Sequence, residues 1–146
     1  IMKKILLLFL STLVLGGCSK SQQLSTARFG DSKPLQLEVV STPQSITQGL
    51  SGRDELGADG MLFVFSQSMM PKFWMKEMKF DLDLVWIKEM KIMEITENVP
   101  APDLNTLLDQ LPMYAPSQPV DMVLEVESGK SKEWGLIVGD KVNIKD

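Results

Sequence analysis

The chain has 146 residues, a net charge of −4, one cysteine and no histidine. The lack of histidine removes the commonest metal ligand and the usual general base near neutral pH, and a single cysteine allows no disulfide within the chain. The excess of acidic side chains argues against nucleic acid as a partner.

The first seventeen residues predict a secretory signal. Two lysines precede an apolar run, residues 5–15, that is too short to span a membrane. The letters that follow, Leu-Gly-Gly-Cys, end at Cys18 and resemble the lipobox of bacterial lipoproteins. The resemblance implies that Cys18 is acylated and that the protein is anchored by lipid to the extracytoplasmic face of a bacterial membrane. The alternative is an ordinary cleaved signal beside an incidental cysteine.

Residues 18–33 are polar and rich in Ser and Gln, so they predict a lipidated Cys18 followed by a flexible tether. Without the two lysines of the signal, 13 basic side chains face 19 acidic ones. We therefore expect membrane attachment to come from the lipid alone. Residues 34–146 are predicted to form one domain of ordinary size.

The first part of this domain carries a strand signal, a helix signal and a second strand signal. Residues 35–39 alternate in the manner of a half-buried strand. Thr42 and Pro43 predict the N-cap and first residue of a short helix that reaches about Leu50. The apolar run 61–65 predicts a central strand that is covered on both faces.

The second part adds several more strand signals. Further strands are predicted at residues 73–76, 82–87, 92–99, 120–126 and 142–144. Residues 88–91 predict a hairpin turn, residues 128–134 a helical turn, and residues 120–126 a strand with one solvent-facing side. Residues 100–119 hold five prolines and predict an irregular segment with room for a short helix at 104–108. The whole pattern predicts a mainly β fold, a small antiparallel β-sandwich or barrel with one or two short helices.

The domain contains four ordered motifs, namely TPQSITQGLSGRDELGADGMLFVF, FWMKEMKFDLDLVWI, LPMYAPSQPVDMVLEVESG and GLIVGDKV. Together they resemble the bacterial and archaeal family known as domain of unknown function 192. The resemblance runs from about Leu37 to Ile144 and implies a compact, mainly β domain of the sandwich or jelly-roll type, with no securely assigned activity. The chain departs from the family at Glu77 and Met78, where Asn and Thr are usual, and at Asp81, where Pro is usual.

Polar residues within these motifs supply the first candidate site. They are Arg53, Lys76, Asp83, Tyr114 and Glu125. Lys76 and Asp83 flank a six-residue connection between two predicted strands, so they could form a cross-strand pair that brackets a small anionic or hydroxylated ligand. The structural alternative is that this pair closes a hairpin while Arg53 ties down a loop.

Aromatic side chains supply a second candidate site. Trp74, Trp86, Tyr114 and Trp134 could form an apolar platform for a sugar or a peptide. The structural alternative is that the tryptophans belong to the core.

Four methionines within ten residues supply a third candidate site: Met69, Met70, Met75 and Met78. Thioethers are soft ligands suited to Cu(I), although methionine also serves as adaptable core filler. An enzyme would have to use paired carboxylates such as Asp83 and Glu125 or a lysine nucleophile. Neither arrangement has a local motif in this chain.

The sequence therefore predicts a lipid-anchored envelope protein with one mainly β domain that acts as a binding or accessory module. No cofactor is expected. The expected partners are the membrane, through Cys18, and a small ligand or an envelope protein. A small hydrolase and an extracytoplasmic copper-binding protein are the alternatives.

Overall fold

The computed structural model describes residues 24–145, which contain nine strands and three short helices. The strands are β1 (Leu24–Phe29), β2 (Leu35–Val40), β3 (Gly60–Met69), β4 (Phe73–Trp74), β5 (Leu82–Lys88), β6 (Lys91–Val99), β7 (Met113–Tyr114), β8 (Val120–Glu127) and β9 (Val142–Lys145). The helices are α1 (Pro43–Gln48), α2 (Lys130–Glu133) and a 3₁₀ helix (Leu108–Gln110).

Seven of these strands form one curled sheet that resembles half of a barrel. Its strand order is β6-β5-β8-β3-β2-β1-β9, while β4 and β7 form a separate two-stranded sheet. The neighbours in the large sheet are antiparallel except β2 and β3, which are parallel. The connection between β2 and β3 contains α1, and parallel neighbours need such a crossover. The predicted mainly β class is confirmed. The prediction of an antiparallel sheet holds for every pair of neighbouring strands among the described residues except β2 and β3.

Apolar side chains cover both faces of the curled sheet. The first core lies on one face and includes Phe29, Leu35, Leu62, Val85 and Leu124. The second core lies on the other face and includes Met61, Phe63, Leu84, Trp86 and Val123. Because successive residues of a strand point to opposite faces, sequence neighbours such as Leu84 and Val85 belong to different cores. The solvent-facing side predicted for residues 120–126 is therefore wrong, since both faces of β8 are covered.

The N-terminal boundary of the domain also differs from the prediction. The expected tether extended to residue 33, but β1 begins at Leu24 and lies between β2 and β9. Its inward positions are Ser25, Ala27 and Phe29, all of which are buried. Two of these three side chains are small, so the segment lacks the apolar pattern of a strand. The predicted signal, Cys18 and residues 19–23 lie outside the described part of the chain.

The positions of α1 and of the hairpin between β5 and β6 were predicted correctly from local sequence signals. Ser45 N donates to Thr42 Oγ1 at 3.2 Å, and Thr42 N donates to Ser45 Oγ at 3.1 Å, which completes a capping box at the start of α1. The turn between β5 and β6 has positive φ at both Glu89 and Met90, as a tight hairpin requires. The helix expected at 104–108 is wrong, because the helical turn falls at Leu108–Gln110.

Gly60 begins β3 where β2 and β8 approach closely, and we expect Gly60→Ala to destabilise the domain by about 1–3 kcal/mol. A Cβ at this position would lie 2.8 Å from Leu124 Cδ1 and 2.9 Å from the Glu125 carbonyl oxygen. Urea unfolding measures the change, with Ser66→Ala on the exposed part of the same strand as the control. Equal stability of the two variants would contradict this account of β3.

Candidate functional site

A cleft of about 300 Å³ opens over the second core, between α1, the outer part of β3 and the loop that follows β4. We call it the β4 cleft. Its apolar walls include Ile46, Leu50, Phe63, Phe65, Phe73 and Leu82. Three charged side chains, Lys72, Lys76 and Glu125, also line it. The site is thus an apolar cavity with a few polar groups, which is the usual composition of a small-molecule site.

Glu125 forms the buried end of this cleft. It lies in β8 directly opposite Met61 of β3 and Leu84 of β5, two fully buried apolar residues, and is itself only 6% exposed. No side chain or backbone group of residues 24–145 pairs with its carboxyl group. Burial raises the pKa of Glu125 to about 8. Near pH 7 the group is therefore mostly protonated and offers both a donor and an acceptor.

Lys76 and Trp74 lie at the more exposed side of the cleft. The Lys76 amine is 5.7 Å from the centre of the Trp74 ring, within the range of a cation–π contact. Trp74 is 44% exposed. Ser51 Oγ donates to the Lys76 carbonyl oxygen at 3.1 Å, which ties the loop after β4 to the turn after α1.

The two neighbouring departures from the family pattern shape this loop. Glu77 has a φ of 57°, a conformation in which Asn, the residue that the family resemblance implies at this position, is enriched. The Glu77 carboxylate accepts a hydrogen bond from Ser51 Oγ at 3.1 Å. Met78 is buried and lines the β4 cleft. In place of the usual Thr, it makes the cleft wall more apolar.

The predicted pair of Lys76 and Asp83 is wrong, because Asp83 points to the other face of the sheet. Its carboxyl group is completely buried. Oδ1 accepts from Asn98 N at 2.9 Å, and Oδ2 accepts from Gly129 N at 3.0 Å. Oδ2 also accepts from Ser131 N at 3.3 Å and Ser131 Oγ at 2.6 Å. Asp83 therefore fastens the start of α2 to the sheet.

The carboxylate pair proposed for a hydrolase is also separated by the sheet. In the register between β5 and β8, Asp83 lies opposite Val126, whereas Glu125 lies opposite Leu84. Directly opposed residues share a face, and successive residues alternate between faces. Asp83 and Glu125 thus point away from each other, and paired-carboxylate chemistry is not available to them.

Arg53 has the structural role that was the alternative to ligand binding. Its Nη1 and Nη2 donate to the two carboxylate oxygens of Glu38 at 2.6 and 2.9 Å. Pairing with Glu38 raises the pKa of Arg53 above its ordinary value. Glu38 belongs to β2, so this bidentate pair ties the turn after α1 to the large sheet.

The structure does not bring the four aromatic rings into one platform. Trp86 is completely buried, and its Nε1 donates to Thr96 Oγ1 at 2.8 Å. Tyr114 is half-buried against the second core, while Trp134 packs against the first core. Of the four, Trp74 alone lines the β4 cleft.

The four methionines are also dispersed. Met75 and Met78 are buried in the second core, and Met69 and Met70 are exposed at the end of β3. Met69 and Met78 line the β4 cleft, but the other two do not. Within residues 24–145, no group of three His, Cys, Asp or Glu side chains is placed to hold a metal ion. The geometry therefore gives the copper hypothesis no converging set of ligands.

The isolation of Glu125 in an apolar cleft could not be found from the sequence. The alternation of residues 120–126 indicates a solvent-facing side for this carboxyl group, and the pattern contains no signal for the elements that cover it. Lys72 was missed as well, because it lies in a loop outside the motifs.

Comparison with known proteins identifies the family to which the domain is similar. The family model DUF192, described as Uncharacterized ACR, matches residues 25–144, which confirms the predicted resemblance. A model of the prokaryotic membrane lipoprotein lipid attachment site matches residues 2–19. No curated protein is significantly similar to the chain. No helix within the described residues is long and apolar enough to cross a membrane.

Two solved structures have similar folds. One is a Sinorhizobium meliloti protein named as a candidate transcription regulator, with 28% identity and a TM-score of 0.73, covering 85% of this chain and 95% of that chain. The other is a protein of unknown function from Novosphingobium aromaticivorans, with 25% identity and a TM-score of 0.72, covering 87% of this chain and 89% of that chain.

Proposed function

We propose that this chain, which belongs to the DUF192 family, is a lipid-anchored envelope protein whose domain binds a small ligand in the β4 cleft. The lipid attachment site over residues 2–19 supports the anchor on Cys18. The family description names no activity, so the binding function is argued from the cleft itself.

The single observation that carries the proposal is the carboxyl group of Glu125, which belongs to a buried residue, lines the cleft and has no hydrogen-bonding partner among the described residues. Leaving a buried polar group unpaired costs about 1–3 kcal/mol, and native proteins pair such groups with few exceptions. Here the group lies at the end of a cavity of about 300 Å³. A ligand that enters the cavity can supply the missing hydrogen bond.

The lining also indicates the chemistry of the ligand. Its body should be apolar, since phenylalanine, leucine and isoleucine side chains form most of the walls. It should carry a hydrogen-bonding group at the end that reaches Glu125, because an entirely apolar ligand would leave that carboxyl group unpaired. Glu125 is the one acidic side chain among the described residues that line the cleft, so we assign it to binding rather than to carboxylate-pair catalysis.

Two aromatic probes with the same ring test this assignment: benzamide, which carries a hydrogen-bonding amide, and toluene, which does not. Residues 19–146 serve as the test protein, because the present domain covers 95% of the crystallised S. meliloti chain and a chain of that extent therefore folds by itself. Near pH 7 we expect benzamide to raise the melting temperature more than toluene. At a hundred times its Kd, a ligand adds about 2.7 kcal/mol, which corresponds to several degrees.

The Glu125→Leu variant should reverse this preference, so that toluene stabilises more than benzamide. Glu127→Gln is the matched control, because Glu127 is an exposed carboxylate on the same strand, and its preference should equal that of the wild type. An identical response of the wild type and Glu125→Leu to both probes would overturn the proposed site.

A further inference from the structure

An exposed apolar surface lies beside the β4 cleft and is not explained by ligand binding. It consists of Trp74, Leu104, Leu107, Leu108 and Met113. Leu104 is fully exposed, and Leu107, Leu108 and Met113 are each more than half exposed. Single exposed apolar residues are ordinary, whereas a group of large ones marks an interaction surface.

These residues are joined into one surface through Lys76. Leu104 and Leu108 line a groove that Lys76 also lines. The Lys76 amine lies over the Trp74 ring at 5.7 Å, and Trp74 lies directly opposite Met113 in the pair of β4 and β7. Directly opposed residues in a strand pair are immediate neighbours. Leu104, Leu108, Trp74 and Met113 therefore share one side of the molecule, and Leu107 is the chain neighbour of Leu108.

The short link between the lipid attachment site and the domain keeps the domain, and with it this surface, within reach of a membrane. The attachment site contains Cys18, and β1 begins at Leu24. The six intervening peptide steps span at most about 22 Å when fully extended. A domain held by so short a link stays against the bilayer, in contrast to the fifteen-residue tether expected from composition.

We propose that the exposed apolar surface docks on the lipid bilayer that holds Cys18. Tryptophan favours the interface between water and hydrocarbon, and exposed leucines gain free energy by entering it. Lys72 and Lys79 belong to the same region as Lys76, and long basic side chains can keep their charge in water while their stems lie against apolar groups. Asp103 and Asp109 remain among the headgroups, so the insertion is shallow.

The charge of the protein indicates that docking is apolar rather than electrostatic. Acidic side chains outnumber basic ones, so an anionic membrane does not attract the domain as a whole. Neutral phosphatidylcholine is therefore a sufficient surface. Docking also places the β4 cleft at headgroup level, because Trp74 lines the cleft and belongs to the surface.

The test uses the acylated full-length product in phosphatidylcholine vesicles whose acyl chains carry bromine, which quenches nearby tryptophan. Trp86 is buried, and Trp134 packs against the other core, so Trp74 is the reporter and Trp74→Phe gives the background. We expect wild-type fluorescence to be quenched well beyond this background, with little change in 0.5 M salt. Replacing Leu104, Leu107 and Leu108 by Ser should remove at least half of the additional quenching.

The matched control replaces Ile137 and Val138 by Ser, because both are also more than half exposed but lie in the loop before β9. Its quenching should equal that of the wild type. Wild-type quenching no greater than background, or undiminished quenching in the leucine variant, would overturn the proposal. The proposal would also be overturned if acrylamide quenched Trp74 less and less as the density of protein in the membrane rises. A second copy of the chain would then cover the surface. None of these outcomes depends on a ligand in the cleft.

Discussion

Asp83→Ala should destabilise the domain by about 3–5 kcal/mol, because one buried carboxyl group accepts four hydrogen bonds and each contributes about 1 kcal/mol. Its removal leaves the backbone N–H groups of Asn98, Gly129 and Ser131 without an acceptor, together with the Ser131 hydroxyl. Each buried group left unpaired carries a desolvation cost. Urea unfolding of residues 19–146 measures the loss, and amide hydrogen exchange at Ser131 should accelerate as α2 detaches from the sheet.

The matched control is Asp81→Ala, which removes an exposed carboxylate two residues away that accepts one hydrogen bond, from Ala101 N at 2.7 Å. We expect this change to cost about 1 kcal/mol. Asp83→Asn should lie between the two variants, since the amide keeps the shape of the side chain and one acceptor oxygen. If Asp83→Ala costs no more than Asp81→Ala, then Asp83 is not the anchor of α2.

The second large effect that we expect is a decrease in the free energy of unfolding as the pH rises, caused by the burial of Glu125. Its pKa is about 8 in the folded protein against an ordinary value of 4.5. Between these values the folded protein keeps a proton that the unfolded chain has released, so raising the pH favours unfolding. The free energy of unfolding should fall by up to about 1.4 kcal/mol per pH unit. Over the whole range from pH 4.5 to pH 8 the loss should reach about 4–5 kcal/mol.

Glu125→Gln removes this dependence, because the amide resembles the protonated carboxyl group at every pH. The stability of the wild type relative to this variant should be constant below about pH 4.5, fall between pH 4.5 and 8, and be constant above that. Urea midpoints at intervals of half a pH unit give the curve, with Glu127→Gln as the exposed control. A constant difference from pH 5 to 9 would mean that the Glu125 carboxyl group is well solvated.

The sequence predicts the strands that carry long apolar runs and fails where burial depends on remote residues. Residues 61–65 are apolar throughout, and such a run is recognisable from the chain alone. By contrast, β1 buries Ser25 and Ala27, and small residues give no periodic signal. The parallel pairing of β2 and β3 was also out of reach, because strand partners are chosen by packing across the whole domain.

For the site, the motifs identified the right residue types but not their arrangement. Lys76 follows β4, which pairs with β7 outside the large sheet. Asp83 lies within β5 of the large sheet and faces α2. Lys76 and Asp83 are therefore close in the sequence but do not contact each other in the structure. The alternating pattern predicts a solvent-facing position for Glu125, because a charged residue in such a strand normally faces water. Only the packing of β3 and β5 on either side of β8 turns this position into the end of a cleft.

The most direct test of the binding account is a ¹³C NMR titration of the Glu125 side-chain carboxyl group, with and without benzamide. The account predicts a resonance that titrates near pH 8 in the free protein, moves when benzamide is added, and is absent from Glu125→Gln. Toluene should perturb it less. A carboxyl group that titrates near pH 4.5 and does not respond to benzamide would contradict the claim that Glu125 binds a ligand in the cleft.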